Sequence, residues 1–310
     1  MINYFRYNLV MESLIMSNFE ICCCSTVDLS KEYLAKRNIH YVCFHFEIDG
    51  ESRYDDLWQT LSPEELYKKM DEDCETKTSQ VNVSEYVDFW EPMLKEGKDI
   101  LHITLSSGLS GTYNSANVAK SDLLDKYPNR KICIVDSLAA SAGYGLLVDK
   151  IADMRDEGKT LEDIYKWTED NKLNINHWFF SSDLSYYIKG GRISKAAGFI
   201  GTIIGICPLL NVDYKGCLIP REKIRTKKKV MRRIVDMMVD NAKDGENYSG
   251  KCFLTHSACL EDAKNVANMI EEKFKKLTGK VQIFNVGATI GSHTGPGTVA
   301  VFFWGKQRYN

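Results

Sequence analysis

Patterns that mark metal sites and nucleotide sites are missing from this sequence. None of its ten cysteines belongs to a CxxC pair, and no cysteine–histidine spacing fits a zinc site. A GxGxxG dinucleotide fingerprint is absent as well. The cysteines lie instead in apolar runs, such as Cys22, Cys23 and Cys24 in succession. Because unpaired cysteine packs as a small apolar side chain, we expect reduced, buried thiols and a cytoplasmic location.

Strong net charge and a long apolar run are also missing. Lysine and arginine total 40 against 42 aspartate and glutamate residues, so the formal charge of −2 gives no electrostatic case for a nucleic-acid partner. The most apolar stretch, Ala196–Leu210, includes three glycines and Pro208. It falls short of the ~18–20 residues that span a bilayer. We therefore expect a soluble protein that does not span a membrane. The stretch itself is either plain core or the wall of an apolar cavity.

The first half of the 310-residue chain alternates short apolar runs with helical patterns. This βαβα order predicts a parallel, doubly wound sheet, with ligands bound beyond the carboxyl ends of its strands. The predicted strands are Phe19–Cys24, Tyr41–Ile48, Ile100–Leu105 and Lys131–Val135. Capping signals predict helices that start at Ser62, Ser84 and Thr160.

The second half mixes a hairpin with α/β units. Asp213–Gly216 has the composition of a hairpin turn between two apolar runs. We predict an α/β protein of two domains: a mostly parallel N-terminal domain at 16–175 and a mixed α/β domain at 176–310. Residues 1–15 form an N-terminal extension without the apolar core and cleavage site of a secretory signal.

A hydroxyl-rich loop at 105–114 follows a predicted strand and leads into a predicted helix. Because a helix N-terminus offers free N–H groups and the positive end of its dipole, this loop is a candidate anion site. The same pattern is also that of a capped helix start without a ligand. It is not a phosphate-binding loop, since no Gly-Lys-Ser/Thr follows. Nor is it a nucleophile elbow, because Gly111 comes directly after Ser110, one position too early.

Other loops place single polar side chains where a ligand could meet them. Thr78 belongs to a second hydroxyl loop, and His293 lies in a glycine-rich loop between two predicted strands. Such a histidine can donate a hydrogen bond to a carboxylate or phosphate at physiological pH. Arg192 follows two glycines, and Arg225 follows the predicted hairpin; an arginine fork suits phosphate contacts. Each residue also has a plain structural interpretation, as a cap, a packed histidine or a surface ion pair.

Taken together, these segments resemble the motif set of the DegV family, in the family's order. The resemblance covers roughly Phe19 to Trp304. Five motifs carry it: Thr78-Ser-Gln, Leu105-Ser-Ser-Gly-Leu-Ser-Gly-Thr-Tyr-Asn114, Lys189-Gly-Gly-Arg-Ile-Ser-Lys195, Arg225-Thr-Lys-Lys and Ser292-His-Thr-Gly-Pro-Gly297. Three departures stand beside it. Cys24 replaces an acidic residue, Val81 replaces a proline, and an N-terminal extension precedes Met16.

The resemblance implies a protein that holds a long-chain fatty acid, such as palmitate or oleate, between its domains. Thr78, Ser110 and His293 are implied to hold the carboxylate. Arg225 is implied in the phosphorylation step or in contact with a separate ATP-binding fatty acid kinase subunit, and Arg192 matches the glycine–arginine motif. The chain is then a lipid-binding subunit without cofactor, metal or catalytic residues of its own. Two alternatives stay open: a hydrolase with Ser110 as nucleophile and His293 as base, and a lipid-sensing regulatory module.

Overall fold

The computed structural model describes residues 18–194 and 205–309. A four-stranded parallel sheet comes first, with strand order β2-β1-β6-β7. Its strands are β1 (Phe19–Cys24), β2 (Ile39–Val42), β6 (Asp99–Thr104) and β7 (Ile132–Asp136). The strand β1 is buried from Ile21 to Cys24, so the three consecutive cysteines are core side chains, as their apolar run predicts.

A small antiparallel sheet of order β4-β3-β5 interrupts this series. It consists of β3 (His45–Ile48), β4 (Glu51–Tyr54) and β5 (Thr76–Ser79). The single strand predicted over Tyr41–Ile48 is therefore wrong. The chain leaves the first sheet after Val42, and the N–H of Phe44 donates to Ser25 Oγ at 3.0 Å. Beyond this contact the chain enters the second sheet, where Asp49 and Gly50 connect β3 to β4.

The third sheet has six strands in the order β10-β9-β8-β13-β11-β12. All neighbours in it are antiparallel except β11 and β12. Its strands are β8 (Ile175–Phe180), β9 (Ile206–Val212), β10 (Leu218–Arg225), β11 (Phe253–His256), β12 (Gln282–Asn285) and β13 (Val299–Trp304). The predicted hairpin is confirmed as the β9–β10 pair.

The described α-helices connect and cover these sheets. They are α1 (Lys31–Lys36), α2 (Pro63–Asp71), α3 (Val83–Lys95), α4 (Thr112–Lys126), α5 (Ala142–Asp156), α6 (Leu161–Asn171), α7 (Ser185–Lys189), α8 (Lys227–Asn241), α9 (Leu260–Lys273) and α10 (Ala288–Thr294). Ser62 and Thr160 cap α2 and α6 as predicted, but α3 is capped by Asn82 together with Glu85, not by Ser84. No helix in the described ranges is both long and apolar enough to cross a bilayer.

Helix α5 joins the two halves of the molecule. It packs against β1 of the parallel sheet and against β8, β11 and β13 of the six-stranded sheet. Most of its side chains are buried. The predicted α/β class, with a parallel first sheet and a mixed C-terminal half, is confirmed. The boundary at 175/176 stays a prediction, although β8 begins at Ile175. Residues 1–15 and the 196–204 part of the apolar stretch lie outside the described residues, whereas its last residues belong to β9.

Candidate functional site

A cavity of about 490 Å³ lies between the six-stranded sheet and the loops that follow strands of the other two sheets. Its apolar wall comes from several elements, among them Phe44, Leu105, Leu109, Phe179, Val212 and Phe302. Four predicted site residues line it as well, namely Thr78, Ser110, Arg192 and His293. The fold therefore brings together side chains that are more than 200 positions apart in sequence.

Thr78 and His293 form the shortest polar contact of this group. Thr78 Oγ1 lies 2.7 Å from His293 Nε2. Both positions differ from the prediction, because Thr78 lies on β5 and His293 on the short helix α10, not in irregular loops. Helix α10 begins where the buried carboxylate of Asp55 accepts hydrogen bonds from the N–H groups of Ala288 and Thr289, at 3.3 and 3.1 Å. Asp55 therefore fixes the helix that carries His293.

Arg192 lies on the other side of the imidazole and adds a positive charge to the site. Its Nη1 is 3.5 Å from His293 Nδ1, and its Nη2 donates to the Leu109 carbonyl at 3.2 Å. A guanidinium has donors only, so Nδ1 is the acceptor and the proton resides on Nε2. The Nε2–H then donates to Thr78 Oγ1. The hydroxyl hydrogen of Thr78 remains free to donate into the cavity.

Gly190 permits this arrangement because it has no side chain. A Cβ built on Gly190 would lie 2.2 Å from His293 Nδ1, well inside van der Waals contact. Of the two glycines that precede Arg192, the first is thus needed for the close approach of the imidazole. The second, Gly191, has a φ of +71°, a backbone conformation that favours glycine.

Ser110 lies just before α4 and lines the same cavity as Thr78. Its hydroxyl accepts from the N–H of Thr112 at 3.2 Å and donates to Gln80 Oε1 at 3.5 Å. Gln80 also lines the cavity and donates to Ser115 Oγ at 3.0 Å. Gln80 is the third residue of the Thr78-Ser-Gln motif, but it was not among the predicted site residues. It connects the strand β5 to the Ser110 loop.

Burial controls the protonation of His293. Loss of solvent, and secondly the Arg192 charge, lower the pKa of His293 to about 4. The imidazole is therefore neutral at physiological pH and acts through its Nε2–H. Burial also lowers the pKa of Arg192, which has little consequence because arginine stays charged in proteins.

We expect the His293 imidazole of the ligand-free protein to remain neutral from pH 8 down to about pH 5. Below pH 6.5 the unfolded chain gains a proton at this residue and the native state does not, so His293 lowers stability as the pH falls towards 4. A bound carboxylate should raise this pKa, since an anion favours the imidazolium. Imidazole ¹⁵N chemical shifts, assigned with a His293→Gln variant, measure both effects. A ligand-free His293 that titrates near pH 6.5 would contradict the argument.

The chain is similar to the proteins of one family over nearly its whole length. A family model described as "Uncharacterised protein, DegV family" matches residues 18–306. The chain belongs to the DegV family. A DegV domain-containing protein of Clostridium perfringens is 38% identical over 293 residues, which cover 94% of this chain and 99% of that protein.

Several solved structures share the fold. A DegV lipid-binding protein of Thermotoga maritima has a TM-score of 0.81 at 26% identity and covers 94% of this chain and 99% of its own. A stearic acid-binding protein of Eubacterium ventriosum also has a TM-score of 0.81 at 26% identity, with 92% and 98% covered. The resemblance found in the motifs is thus confirmed for the family and for the two-domain fold.

Ser110 and His293, the nucleophile and base of the hydrolase alternative, do not contact each other in this fold. Ser110 Oγ contacts Gln80 and the Thr112 N–H, whereas His293 Nε2 contacts Thr78. A serine nucleophile needs a hydrogen bond to its base at about 2.6–3.2 Å. No such bond joins Ser110 and His293 in the described part of the chain, which weighs against the hydrolase alternative.

Arg225 is the predicted site residue that the fold keeps apart. It is the last residue of β10, is exposed, and is not among the described residues that line the cavity. Leu218, at the other end of the same strand, does line it. Seven residues of extended chain separate the two positions by ~23 Å. Arg225 therefore lies on the surface, apart from the Thr78 cluster.

Proposed function

We propose that this DegV protein binds one long-chain fatty acid, such as palmitate or oleate, with its carboxylate at Thr78, Ser110, Arg192 and His293. The observation that carries the proposal is the juxtaposition of hydroxyls, an imidazole N–H and a guanidinium at one part of an otherwise largely apolar cavity. The free hydroxyl hydrogen of Thr78 and the Arg192 guanidinium can donate to one anionic group, with Ser110 and His293 beside them. The apolar wall matches the long hydrocarbon chain attached to that group.

The energetics favour such a ligand. A sixteen-carbon chain has about fourteen methylenes, whose burial at ~0.8 kcal/mol each contributes about 11 kcal/mol before the costs of binding. The apolar wall therefore supplies most of the affinity. The polar cluster orients the carboxylate and selects it over an alcohol or an ester.

We further propose that the bound carboxylate is presented to a separate, ATP-binding kinase subunit. The carboxylate oxygen attacks the γ-phosphorus of ATP, which gives an acyl phosphate and ADP. This part rests on the five motifs and on two observations: Ser107 and Gly111, on either side of Ser110, are exposed, and Arg225 is free of ion pairs with described residues. The chain itself then supplies binding and orientation in the cytoplasm, and the kinase supplies the chemistry.

Native mass spectrometry of the chain purified from a bacterial host tests the binding step. We expect one fatty acid per chain, identified after denaturation, and its loss in a Thr78→Val/Ser110→Ala double variant. Ser107→Ala is the matched control, since Ser107 belongs to the same loop but hydrogen-bonds to described residues through its backbone N–H and not through its hydroxyl. An empty protein that also fails to take up added palmitate or oleate would refute the proposal. Binding without acyl-phosphate formation by the kinase and ATP would leave the regulatory lipid-binding role.

A further inference from the structure

A second cleft, of about 670 Å³, lies next to the first cavity. It is bounded by the start of α1, the loop before α2, the start of α2 and the loop after β11. The two spaces share a wall. Asp28 lines the cleft, and its Oδ2 accepts a hydrogen bond from Ser141, which lines the cavity. Neither the DegV motifs nor the proposed function assigns a role to this cleft.

The backbone around the cleft is strained in several places. Asp28, Leu57, Trp58 and Ala258 all line it, and all have left-handed φ angles, of 51°, 60°, 67° and 52°. Such angles are uncommon outside glycine and cost ~1–3 kcal/mol each, so they persist where the surrounding structure imposes them. They cluster at functional sites more than elsewhere. Four in one cleft set its shape independently of any side chain.

Two buried polar atoms in this lining have no hydrogen-bond partner in the described ranges. Asp28 is 3% exposed, and its Oδ1 lies beside the Gly287 backbone without a hydrogen bond of acceptable geometry. His256 is 7% exposed, and its Nδ1 is likewise unpaired. Leaving a buried polar atom unpaired costs ~1–3 kcal/mol. A ligand that donates to Asp28 would remove this cost.

The charges and the aromatic side chains indicate the class of ligand. Three carboxyl groups line the cleft, those of Asp28, Glu32 and Glu64, against the single ammonium of Lys31. Burial raises the pKa of the Asp28 carboxyl well above its ordinary value, so an isolated anion is disfavoured there until a cation arrives. Trp58, Tyr67 and Phe284 also line the cleft, and aromatic rings of this kind attract organic cations.

We propose that this cleft binds a small organic cation, an ammonium or amidinium group carried on an apolar or aromatic body, with Asp28 as its principal partner. A bare metal ion fits less well, since the described residues include no group of three side chains placed to ligate one. Glu64, exposed at the start of α2, attracts the cation at the rim, and Trp58 covers its apolar body. The proposal stands apart from the proposed fatty-acid function and does not depend on it.

Isothermal titration of the full chain, with and without added palmitate, tests this with benzamidine as the cationic probe. Benzamide is the neutral probe of the same shape. We expect one saturable benzamidine site per chain, with affinity about tenfold above that of benzamide. Asp28→Asn should remove this difference. Glu64→Gln should weaken benzamidine about twofold and make its binding less sensitive to salt.

Glu72→Gln is the control, because Glu72 adjoins the far end of α2 and does not line the cleft. It should leave benzamidine binding unchanged. If Asp28→Asn lowers the thermal midpoint so far that it is not folded, Trp58→Ala and Glu64→Gln decide: both weaken benzamidine more than benzamide if the proposal holds. No saturable heat, equal affinity for the two probes, or unchanged binding in these variants would overturn it.

Discussion

Replacing Arg192 with glutamine is expected to weaken palmitate binding by about 10- to 100-fold, which corresponds to ~1.5–3 kcal/mol for a hydrogen bond to a charged group. Arg192 is half-buried and is the one cation among the described residues that line the cavity. Removing its charge leaves the carboxylate with neutral donors from Thr78, Ser110 and His293. The apolar contacts remain, so binding of hexadecanol, which has the same chain and no charge, should change by less than about twofold. Titration of each lipid against both proteins measures this difference.

Lys189→Gln is the matched control for this prediction. Lys189 belongs to the same segment and loses the same charge, but it is exposed and pairs with Glu75 at 2.9 Å on the surface. Exposed pairs of this kind contribute ~0–1 kcal/mol and should not affect the ligand. Equal losses for palmitate and hexadecanol in Arg192→Gln would show that Arg192 supports the shape of the cavity and not the carboxylate.

The sequence predicted those elements whose pattern is local. Phe19–Cys24 is a strand to the residue, because one apolar run bounded by polar residues settles both its type and its ends. The start of α2 follows from Pro63 at the first helical position and from Ser62 and Glu65, which form their capping contacts within four residues. Such signals need no knowledge of the rest of the chain.

The misses arise where a distant contact decides the local structure. Gly287 and Gly291 made the His293 segment resemble a loop, yet Asp55 stabilises it as a helix from more than 230 positions away. Thr76–Ser79 is too polar to signal a strand, but pairing with β3 makes it one. The site shows the same difference between local signals and distant contacts. Thr78, Ser110 and His293 were identified from motifs, whereas the tautomer of His293, the charge from Arg192 and the bridge from Gln80 depend on three-dimensional proximity.

Replacing Arg225 is also expected to have a large effect, on the KM of the kinase for the lipid-loaded protein. Because Arg225 is exposed and ~23 Å of strand separates it from the cavity-lining Leu218, we expect it to contact the kinase subunit and not the transferred phosphoryl group. An arginine at the centre of a protein interface is worth ~2 kcal/mol or more on truncation, about 30-fold in affinity. Arg225→Ala should therefore raise the KM for the lipid-loaded protein about 30-fold, change kcat little, and leave palmitate binding intact.

Acyl-phosphate formation by the kinase subunit with ATP, measured over a range of loaded-protein concentrations, separates these parameters. Lys228→Ala is the control, since Lys228 is an exposed cation three residues further along the chain. A general electrostatic attraction would make the two variants equally weak and strongly salt-dependent. A specific contact affects Arg225→Ala alone. If kcat falls about 10³-fold at saturating concentration instead, Arg225 acts on the transition state, as arginines do in other phosphoryl transfers. The β10 end would then have to move towards the carboxylate in the complex, and the binding geometry inferred from the free protein would be wrong.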